Sequence, residues 1–380
     1  MSFSAILSLL VGFVLLVAGA EGFVRGAAKL AALIGLSPLI IGLTIVSYGT
    51  SAPELAVSLQ ASLQGQPEIA LGNVIGSNIF NILMTLGIAA LIVPLTVAQQ
   101  LIRLDVPIMI GITGLLLMFA VDGELGRVDG LILLVGSILY TAFLVYQSRK
   151  ESDAAVQAEY EKEYAGKERR GWPSIVRNLV TLFGGLGVLV FGAHLLVSSA
   201  TTIATALGIS QLIIGLTIVA IGTSLPELAT SVVACYRGER DIAVGNVVGS
   251  NIFNILTILG VTASFVGVPV SKAAISFDIP VMLAVAISSL PIFYTGNRIS
   301  RWEGMLFISY YMAYTAYLGL NAVGHDQLDL FSNVMLLFVI PLTVITLLTI
   351  LLRRPNGLTT AKSVGAASQS PEESKPSPND

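Results

Sequence analysis

Long apolar runs separated by short polar segments dominate the sequence. A transmembrane helix needs about 20 predominantly apolar residues. Runs near this length predict eleven membrane-spanning helices, at 4–32, 38–62, 68–92, 103–120, 128–147, 174–204, 211–235, 241–266, 274–294, 302–320 and 330–352. The first of these runs has no Lys or Arg ahead of it, whereas a secretory signal normally has a positive segment there, so we expect a transmembrane helix rather than a signal peptide.

Composition also indicates a membrane protein. Apolar residues make up 54% of the chain, charged residues make up only 11%, and the mean hydropathy is +0.85. A soluble protein would carry about 25% charged residues. The single cysteine, Cys235, excludes an intramolecular disulfide framework, and we interpret it as a small packing residue.

One sequence pattern occurs twice, once in each half of the chain. Both copies retain Glu, Asn, Ser and Thr, which packing alone would not require, so duplication for packing is the weaker interpretation. The repeated segments are LIIGLTIV (39–46 and 212–219), GTSAPELAVS and GTSLPELATS (49–58 and 222–231), and GNVIGSNIFNIL and GNVVGSNIFNIL (72–83 and 245–256).

The two copies are predicted to cross the membrane in opposite directions. The first motif, 39–83, falls on the second and third predicted helices, and the second motif, 212–256, falls on the seventh and eighth. An odd number of helices separates them, so their orientations differ. This is the inverted-repeat plan of secondary transporters, whose sites lie near the bilayer midplane. The predicted fold is an all-α polytopic membrane protein with two inverted five-helix repeats and one extra C-terminal transmembrane helix.

The distribution of positive charge predicts the orientation. With the N-terminus outside, all of the 20 Lys and Arg residues except Arg127 and Lys272 fall on the cytoplasmic side. We therefore expect a multi-pass cell-membrane protein whose central linker and C-terminus are cytoplasmic. The predicted units are a first repeat (1–147), a charged linker (148–173), a second repeat (174–321), the extra helix (330–352) and a disordered tail (355–380).

Each copy places a glutamate, Glu54 or Glu227, inside an apolar stretch. A carboxylate at membrane depth is costly unless a cation meets it, so it marks a functional site by default. Pro53 and Pro226 directly precede the two glutamates, and each should break its helix because proline cannot donate to the carbonyl four residues earlier. Non-helical backbone at this depth is tolerated only where it lines a cavity or meets an ion.

Polar side chains at helical spacing accompany each glutamate. Thr50 lies on the same helix face as Glu54, and the following helix carries Asn73, Ser77 and Asn81 four residues apart. Carboxylates, amide oxygens, hydroxyls and carbonyls are ligands for hard cations, and no thiol or histidine among them favours a transition metal. These patterns predict a cation transporter but do not choose the ion. The second copy repeats the set as Thr223, Glu227, Asn246, Ser250 and Asn254.

The doubled motif resembles the two α-repeats of the calcium/cation antiporter superfamily, and in particular the prokaryotic Na⁺/Ca²⁺ exchangers. The resemblance covers the first ten predicted helices and implies a ten-helix inverted-repeat core with alternating access. It implies that Glu54 and Glu227 hold Ca²⁺ together with the backbone carbonyls of Thr50 and Thr223, and that both glutamates also serve Na⁺. By the same resemblance, the flanking Na⁺ ligands are Ser51, Ser77 and the carbonyl of Ser47 in one half, and Ser224, Ser250 and the carbonyl of Ala220 in the other.

Two departures from the family pattern matter. Some members carry Asp where this chain has Asn254, whereas here both Asn81 and Asn254 are neutral amides, which weakens any case for K⁺ co-transport. The extra helix at 330–352 is absent from the ten-helix core. The expected substrates are Ca²⁺ and Na⁺ and the expected environment is the lipid bilayer. We expect no cofactor, no nucleic acid and no obligate protein partner.

Other functions remain open at the level of sequence. An H⁺-coupled Ca²⁺ antiporter is the nearest rival, because a buried glutamate can bind a proton in place of Na⁺. The retained serines favour sodium, since a proton would not need them. A cation channel would more naturally carry its filter on a ring of subunits or pore loops. An intramembrane hydrolase would need a nucleophile–base pair or an HExxH motif, and the only histidines are His194 and His325.

The remaining polar residues in the apolar runs have structural interpretations. Glu21, Arg25 and Lys29 stand four apart and should form an ion-paired stripe on the first helix. We expect His194 to be a packing residue. The matched residues Asp105 and Asp278 lie near predicted helix starts, where a carboxylate would cap the helix N-terminus.

Overall fold

The computed structural model describes residues 3–34, 36–150, 172–207, 220–294 and 296–352, most of which are helical. A single helical turn, Ala220–Gly222, precedes the eighth helix. In chain order the helices are α1 (Phe3–Ile34), α2 (Pro38–Thr50), α3 (Ala52–Leu63), α4 (Pro67–Ile92), α5 (Leu101–Ala120), α6 (Arg127–Lys150), α7 (Trp172–Ala206), α8 (Leu225–Tyr236), α9 (Arg240–Val266), α10 (Ala274–Tyr294), α11 (Arg301–Ala322) and α12 (Leu328–Val334, Met335–Val339 and Ile340–Leu352). The strands are β1 (Leu95–Thr96), β2 (Glu124–Leu125), β3 (Val268–Pro269) and β4 (Arg298–Ile299).

The apolar runs predict the helices well. In the described part of the chain, α1, α4, α5, α6, α7, α9, α10 and α12 are long and apolar enough to cross a membrane, and the bent pair of α2 and α3 would make a ninth span. Helix α11 has the length, but four tyrosines and flanking charges lower its hydropathy. The chain is thus a polytopic helical protein, whereas the ten-helix inverted-repeat plan with an extra helix stays a prediction.

Some sequence predictions fall on residues that the structure does not describe. These are most of the linker at 148–173, the tail at 355–380 and the second copy of LIIGLTIV at 212–219. The seventh predicted helix, 211–235, is therefore described only from Ala220 onward.

The long helices α1 and α7 pack against each other in antiparallel directions. A Cβ atom on Gly19 would lie 2.3 Å from the backbone nitrogen of Leu189, and one on Gly26 would lie 2.6 Å from that of Leu182. As the chain advances along α1, the contact therefore moves back along α7. Glycine permits such close backbone approach between membrane helices. Because α1 and α7 are equivalent helices of the two proposed repeats, this arrangement is the one that inverted repeats require.

Short strands also connect the two halves. β1 pairs with β4 and β2 pairs with β3, both antiparallel, so each pair joins one segment from each half of the chain. Like α1 and α7, the strands of each pair come from different halves of the chain and run in opposite directions.

The capping role predicted for Asp105 and Asp278 is wrong. Asp105 has helical dihedral angles and lies at the end of a π-helical turn, Leu101–Asp105, so the helix has begun before it and its side chain makes no cap hydrogen bond. Its carboxylate is buried and accepts a hydrogen bond from the Tyr140 hydroxyl at 2.9 Å. Asp278 likewise ends the π-helical turn Ala274–Asp278.

The ion pair predicted between Glu21 and Arg25 on α1 is confirmed. Arg25 lies 2.8 Å from Glu21, and Arg237 at the end of α8 also pairs with Glu21, which ties α1 to the other half of the chain. The packing role predicted for His194 is wrong, because its side chain is exposed on α7. Two residues along a helix correspond to about 200°, so His194 faces away from the α1 contact made by Gly192. Cys235 is buried, as expected.

Candidate ion-binding site

The site is built where two helices break. Helices α2 and α3 meet at Ser51 with a bend of 43°. Pro53 lies in the first turn of α3, and Pro226 lies in the first turn of α8. Ser51 and Ser224 have nearly the same non-helical conformation, with ψ of 6° in both. The helix breaks predicted from the two prolines are therefore confirmed in both halves.

Glu54 and Glu227 occupy the first turns of α3 and α8, and both are completely buried. A helix N-terminus favours a negative charge, which partly offsets the burial. The hydrogen bonds to these carboxylates cross between the halves of the chain. Ser51 donates to Oε1 of Glu227 at 2.8 Å, and Ser224 donates to Oε1 of Glu54 at 3.2 Å.

The other carboxylate oxygens are available for a cation. Within the described residues, neither Glu54 Oε2 nor Glu227 Oε2 has a hydrogen-bond partner, although both atoms are buried. A buried oxygen anion without a donor is strongly unfavourable in the apoprotein. A bound cation would satisfy both atoms.

The four serines of the predicted Na⁺ ligand set do not behave alike. Ser224 donates to the carboxylate of Glu54, and it also contacts Ser77, with 2.9 Å between the two hydroxyl oxygens. Ser250 is buried, and its hydroxyl has no partner in the part of the chain that the structure describes. The structure therefore brings Ser51 and Ser224 into contact with the glutamates, and it places Ser77 against Ser224.

Thr50 and Thr223 use their hydroxyls to hold the halves together. Thr50 donates to the side-chain oxygen of Asn246 at 3.1 Å, and Thr223 donates to that of Asn73 at 3.2 Å. These hydrogen bonds join each helix break to the opposite half of the chain. The ligand role that the resemblance implies for Thr50 and Thr223 belongs to their backbone carbonyls.

The side-chain amides of Asn73 and Asn246 are hydrogen-bonded to neighbouring backbone and serine groups, so they support the site rather than serve as ligands. The amide of Asn73 donates to the backbone carbonyl of Glu54 and to the hydroxyl of Ser58. Asn246 makes the same bonds to Glu227 and to Ser231. Helical spacing predicts that the asparagines are among the converging ligands. It does not predict their partners Ser58 and Ser231, although these are the serines that end the two copies of the motif (GTSAPELAVS and GTSLPELATS).

Asn81 and Asn254 each present one unpaired oxygen. Both side chains are fully buried, and each donates its Nδ2 hydrogen to an asparagine of the opposite half. Their Oδ1 atoms have no hydrogen-bond partner among the described residues. Both residues begin π-helical turns, Asn81–Thr85 and Asn254–Leu259. Such turns often occur at functional sites.

The resemblance implies the backbone carbonyls of Ser47 and Ala220 as Na⁺ ligands, and the structure describes the surroundings of the first more fully than those of the second. The carbonyl of Ser47 already accepts the backbone N–H of Ser51 at 3.0 Å, and it lies 3.3 Å from the hydroxyl of Thr50, whose single hydrogen is donated to Asn246. An ion at that carbonyl would therefore leave the bond from Thr50 to Asn246 in place. Ala220 begins the helical turn before Thr223, and residues 208–219 before it are not described.

The donor set is therefore carboxylate, amide and hydroxyl oxygen. No group of three or more His, Cys, Asp or Glu side chains suited to a metal occurs in residues 3–34, 36–150, 172–207, 220–294 and 296–352. Two carboxylates supplemented by neutral oxygens fit Ca²⁺ or Na⁺, both of which prefer oxygen ligands, better than a transition metal.

Comparisons with known proteins agree with this chemistry. The sequence profile of the family described as sodium/calcium exchanger protein matches residues 4–148 and 177–320. The sodium/calcium exchanger MaX1 of Methanosarcina acetivorans is 34% identical over 337 residues, which cover 81% of this chain and 96% of MaX1. The inner membrane protein YrbG of Escherichia coli is 40% identical over 281 residues, which cover 73% of this chain and 85% of YrbG. A solved structure of the sodium-calcium exchanger NCX_Mj matches with a TM-score of 0.72 and 33% identity, covering 84% of this chain and all of that chain.

Proposed function

Because this chain belongs to the sodium/calcium exchanger family, whose members are antiporters and not enzymes, we propose that it exchanges Na⁺ for Ca²⁺ by alternating access. The observation that carries the proposal is the pair of buried carboxylates, Glu54 and Glu227. Each receives a serine hydroxyl from the opposite half, and each keeps one oxygen without a donor in the described structure.

The proposed Ca²⁺ ligands are the unpartnered carboxylate oxygens, supplemented by neutral oxygens. Glu54 and Glu227 supply two negative charges, which match one Ca²⁺. Calcium binds about 6–8 oxygens in a flexible geometry. The further oxygens would come from the carbonyls of Thr50 and Thr223 and from the side chains of Asn81 and Asn254.

The proposed Na⁺ ligands share the same carboxylates, and this sharing accounts for exchange. A Na⁺ ion between Ser51 and Glu227, or between Ser224 and Glu54, would replace the present serine hydrogen bond. Ser77, Ser250 and the carbonyls of Ser47 and Ala220 would complete these sites. Since Ca²⁺ and Na⁺ need the same two charges, one load must leave before the other binds.

Alternating access would move α1 and α7 together. The two helices approach each other closely at Gly12, Gly19 and Gly26 of α1, so they can shift as one unit against the remaining helices. An inverted-repeat core would make the outward- and inward-facing states structurally similar. In the proposed orientation the N-terminus is outside, and the linker and C-terminus are cytoplasmic.

Coupling to Na⁺ is tested by uptake of radiolabelled Ca²⁺ into proteoliposomes. We expect uptake when the vesicles contain Na⁺ and none when they contain choline, even with a pH gradient. Uptake driven by the pH gradient alone would instead identify an H⁺-coupled antiporter. Uptake that ignores both gradients would indicate a channel and would contradict the proposal.

Asn254→Asp should change the ion preference of the transporter. The carboxylate adds a third negative charge to the proposed site and meets the Oδ1 atom of Asn78, which now accepts a hydrogen bond from Asn254 at 3.0 Å. A proton on the new carboxylate would relieve that contact and remove the charge, so we expect Ca²⁺ uptake to fall more steeply toward acid pH than in the parent. The measurement is uptake against Ca²⁺ concentration at several pH values. An unchanged selectivity and pH profile would place Asn254 outside the ion shell.

A further inference from the structure

Four asparagines form a closed hydrogen-bonded cluster where α4 crosses α9. They are Asn78 and Asn81 on α4 and Asn251 and Asn254 on α9, and all four are almost fully buried. Each helix carries its pair three residues apart, so both side chains point to the same side of the helix. Asn78 and Asn251 belong to neither of the carboxylate centres and have no assigned role in ion binding.

The bonds of this cluster fix the orientation of each amide. Asn251 donates its Nδ2 hydrogen to the backbone carbonyl of Asn78 at 3.2 Å, and Asn78 donates in the same way to the carbonyl of Asn251 at 3.2 Å. A backbone carbonyl can only accept. The NH₂ group of each amide must therefore face the opposite helix, and its Oδ1 atom must point to the other side.

The orientation of the Asn251 and Asn78 amides in turn fixes the orientation of the Asn81 and Asn254 amides. Oδ1 of Asn251 accepts a hydrogen bond from Nδ2 of Asn81 at 3.1 Å, and Oδ1 of Asn78 accepts one from Nδ2 of Asn254 at 3.0 Å. With their NH₂ groups engaged, Asn81 and Asn254 can present only oxygen on their free side. Those two Oδ1 atoms are the buried amide oxygens that lack a partner within the described residues.

We propose that Asn78 and Asn251 are positioning residues that force the amides of Asn254 and Asn81, respectively, to present oxygen rather than NH₂ to the transported cation. The proposal rests on the proposed function, because it takes Asn81 and Asn254 to be ion ligands. A free asparagine can turn its amide by 180°, and the turned amide would repel a cation. The backbone carbonyls of the two crossing helices prevent that turn.

The test removes a positioning amide, first in the parent protein and then in a variant whose ligand side chain ends in two oxygens and therefore presents oxygen in either orientation. Asn251→Leu keeps the size of the side chain and removes its hydrogen bonds. We expect the Ca²⁺ concentration for half-maximal uptake to rise about tenfold, the effect of losing one interaction with a charged group. In an Asn81→Asp background both terminal atoms of residue 81 are oxygens, so Asn251→Leu can no longer turn an NH₂ group toward the cation and should not raise that concentration.

The opposite pairing provides a matched control. Asn254→Asp should not rescue Asn251→Leu, because Asn251 orients Asn81 and not Asn254. It should instead rescue Asn78→Leu. An equal loss in all backgrounds would show that Asn251 and Asn78 only pack the crossing, and would overturn the proposal. If Asn251→Leu fails to fold, Asn251→Ser removes the amide with a smaller polar group and is compared in the same backgrounds.

The same set of variants separates this proposal from the function on which it rests. If Asn81→Asp and Asn254→Asp leave Ca²⁺ binding and uptake unchanged, these residues are not ligands and the ligand assignment fails. If they alter Ca²⁺ affinity while Asn251→Leu and Asn78→Leu do not, only the positioning role fails. Titration of the detergent-purified protein with Ca²⁺ alone measures affinity independently of transport.

Discussion

Glu54→Gln abolishes Ca²⁺ uptake into Na⁺-loaded proteoliposomes, and Glu227→Gln does the same. This is the expected result because each glutamate supplies half of the negative charge that the proposed site offers to Ca²⁺. Glutamine keeps the side-chain shape and can still accept the hydrogen bond from Ser224 or Ser51. Its amide places either a neutral oxygen or an NH₂ group where a carboxylate oxygen now lacks a partner in the described structure. We expect a fall of roughly a hundredfold or more in uptake at a fixed Ca²⁺ concentration.

Glu68→Gln is the matched control for this experiment. Glu68 lies in the first turn of α4, as Glu54 lies in the first turn of α3, but its side chain is exposed. The same chemical change should therefore leave uptake at the parent rate. The glutamate assignment is contradicted if Glu54→Gln or Glu227→Gln, purified with the elution profile of the parent, exchanges Ca²⁺ at the parent rate.

Local sequence rules predicted the elements of the site because each rule acts within a few residues. Pro53 and Pro226 lack a backbone N–H, so the helix breaks follow from the chain alone. The burial of Glu54 and Glu227 followed from the apolar residues around them and is confirmed. The doubled motif also predicted that the two halves would share one site.

The pairing of side chains could not be predicted in the same way. The bond from Ser51 to Glu227 joins residues far apart in the chain, and it depends on how the two halves pack. Spacing placed Asn73, Ser77 and Asn81 on one face and predicted that all three contribute oxygens to a cation site. In the structure Asn73 holds the backbone of α3, Ser77 contacts Ser224, and only Asn81 keeps a buried oxygen without a partner in the described residues.

Three residue roles predicted from the sequence are wrong, those of Asp105, Asp278 and His194. The apolar run that begins near Asp105 predicts a helix start there, but the helix extends into the polar residues before that run. Hydropathy reports where the membrane-facing surface begins, whereas hydrogen bonding determines where the helix begins. The residue type of His194 predicts a packing role, but the face that it occupies depends on which side of α7 meets α1.

The second large effect is expected at the contact of α1 with α7. A Cβ atom on Gly185 would lie 2.4 Å from the backbone nitrogen of Phe23, a separation that no side-chain rotation can relieve. Gly185→Ala must therefore push the two helices apart, and overpacking of this kind costs about 1–3 kcal/mol. We expect a lower midpoint of thermal unfolding in detergent and slower Ca²⁺ exchange, because the proposed alternating access moves α1 and α7 as one unit.

Gly184→Ala separates this effect from the intrinsic preference of alanine for helices. Gly184 is the neighbouring residue on α7, it is exposed, and an added Cβ would meet nothing within 4 Å in the described structure. Alanine is favoured over glycine in a helix by about 1 kcal/mol, so this variant should unfold at the parent temperature or slightly above it. The two variants differ only in the direction in which the same methyl group points. Equal unfolding temperatures and exchange rates for both would mean that the close approach of α1 and α7 is dispensable, and the two helices would then be free to move separately.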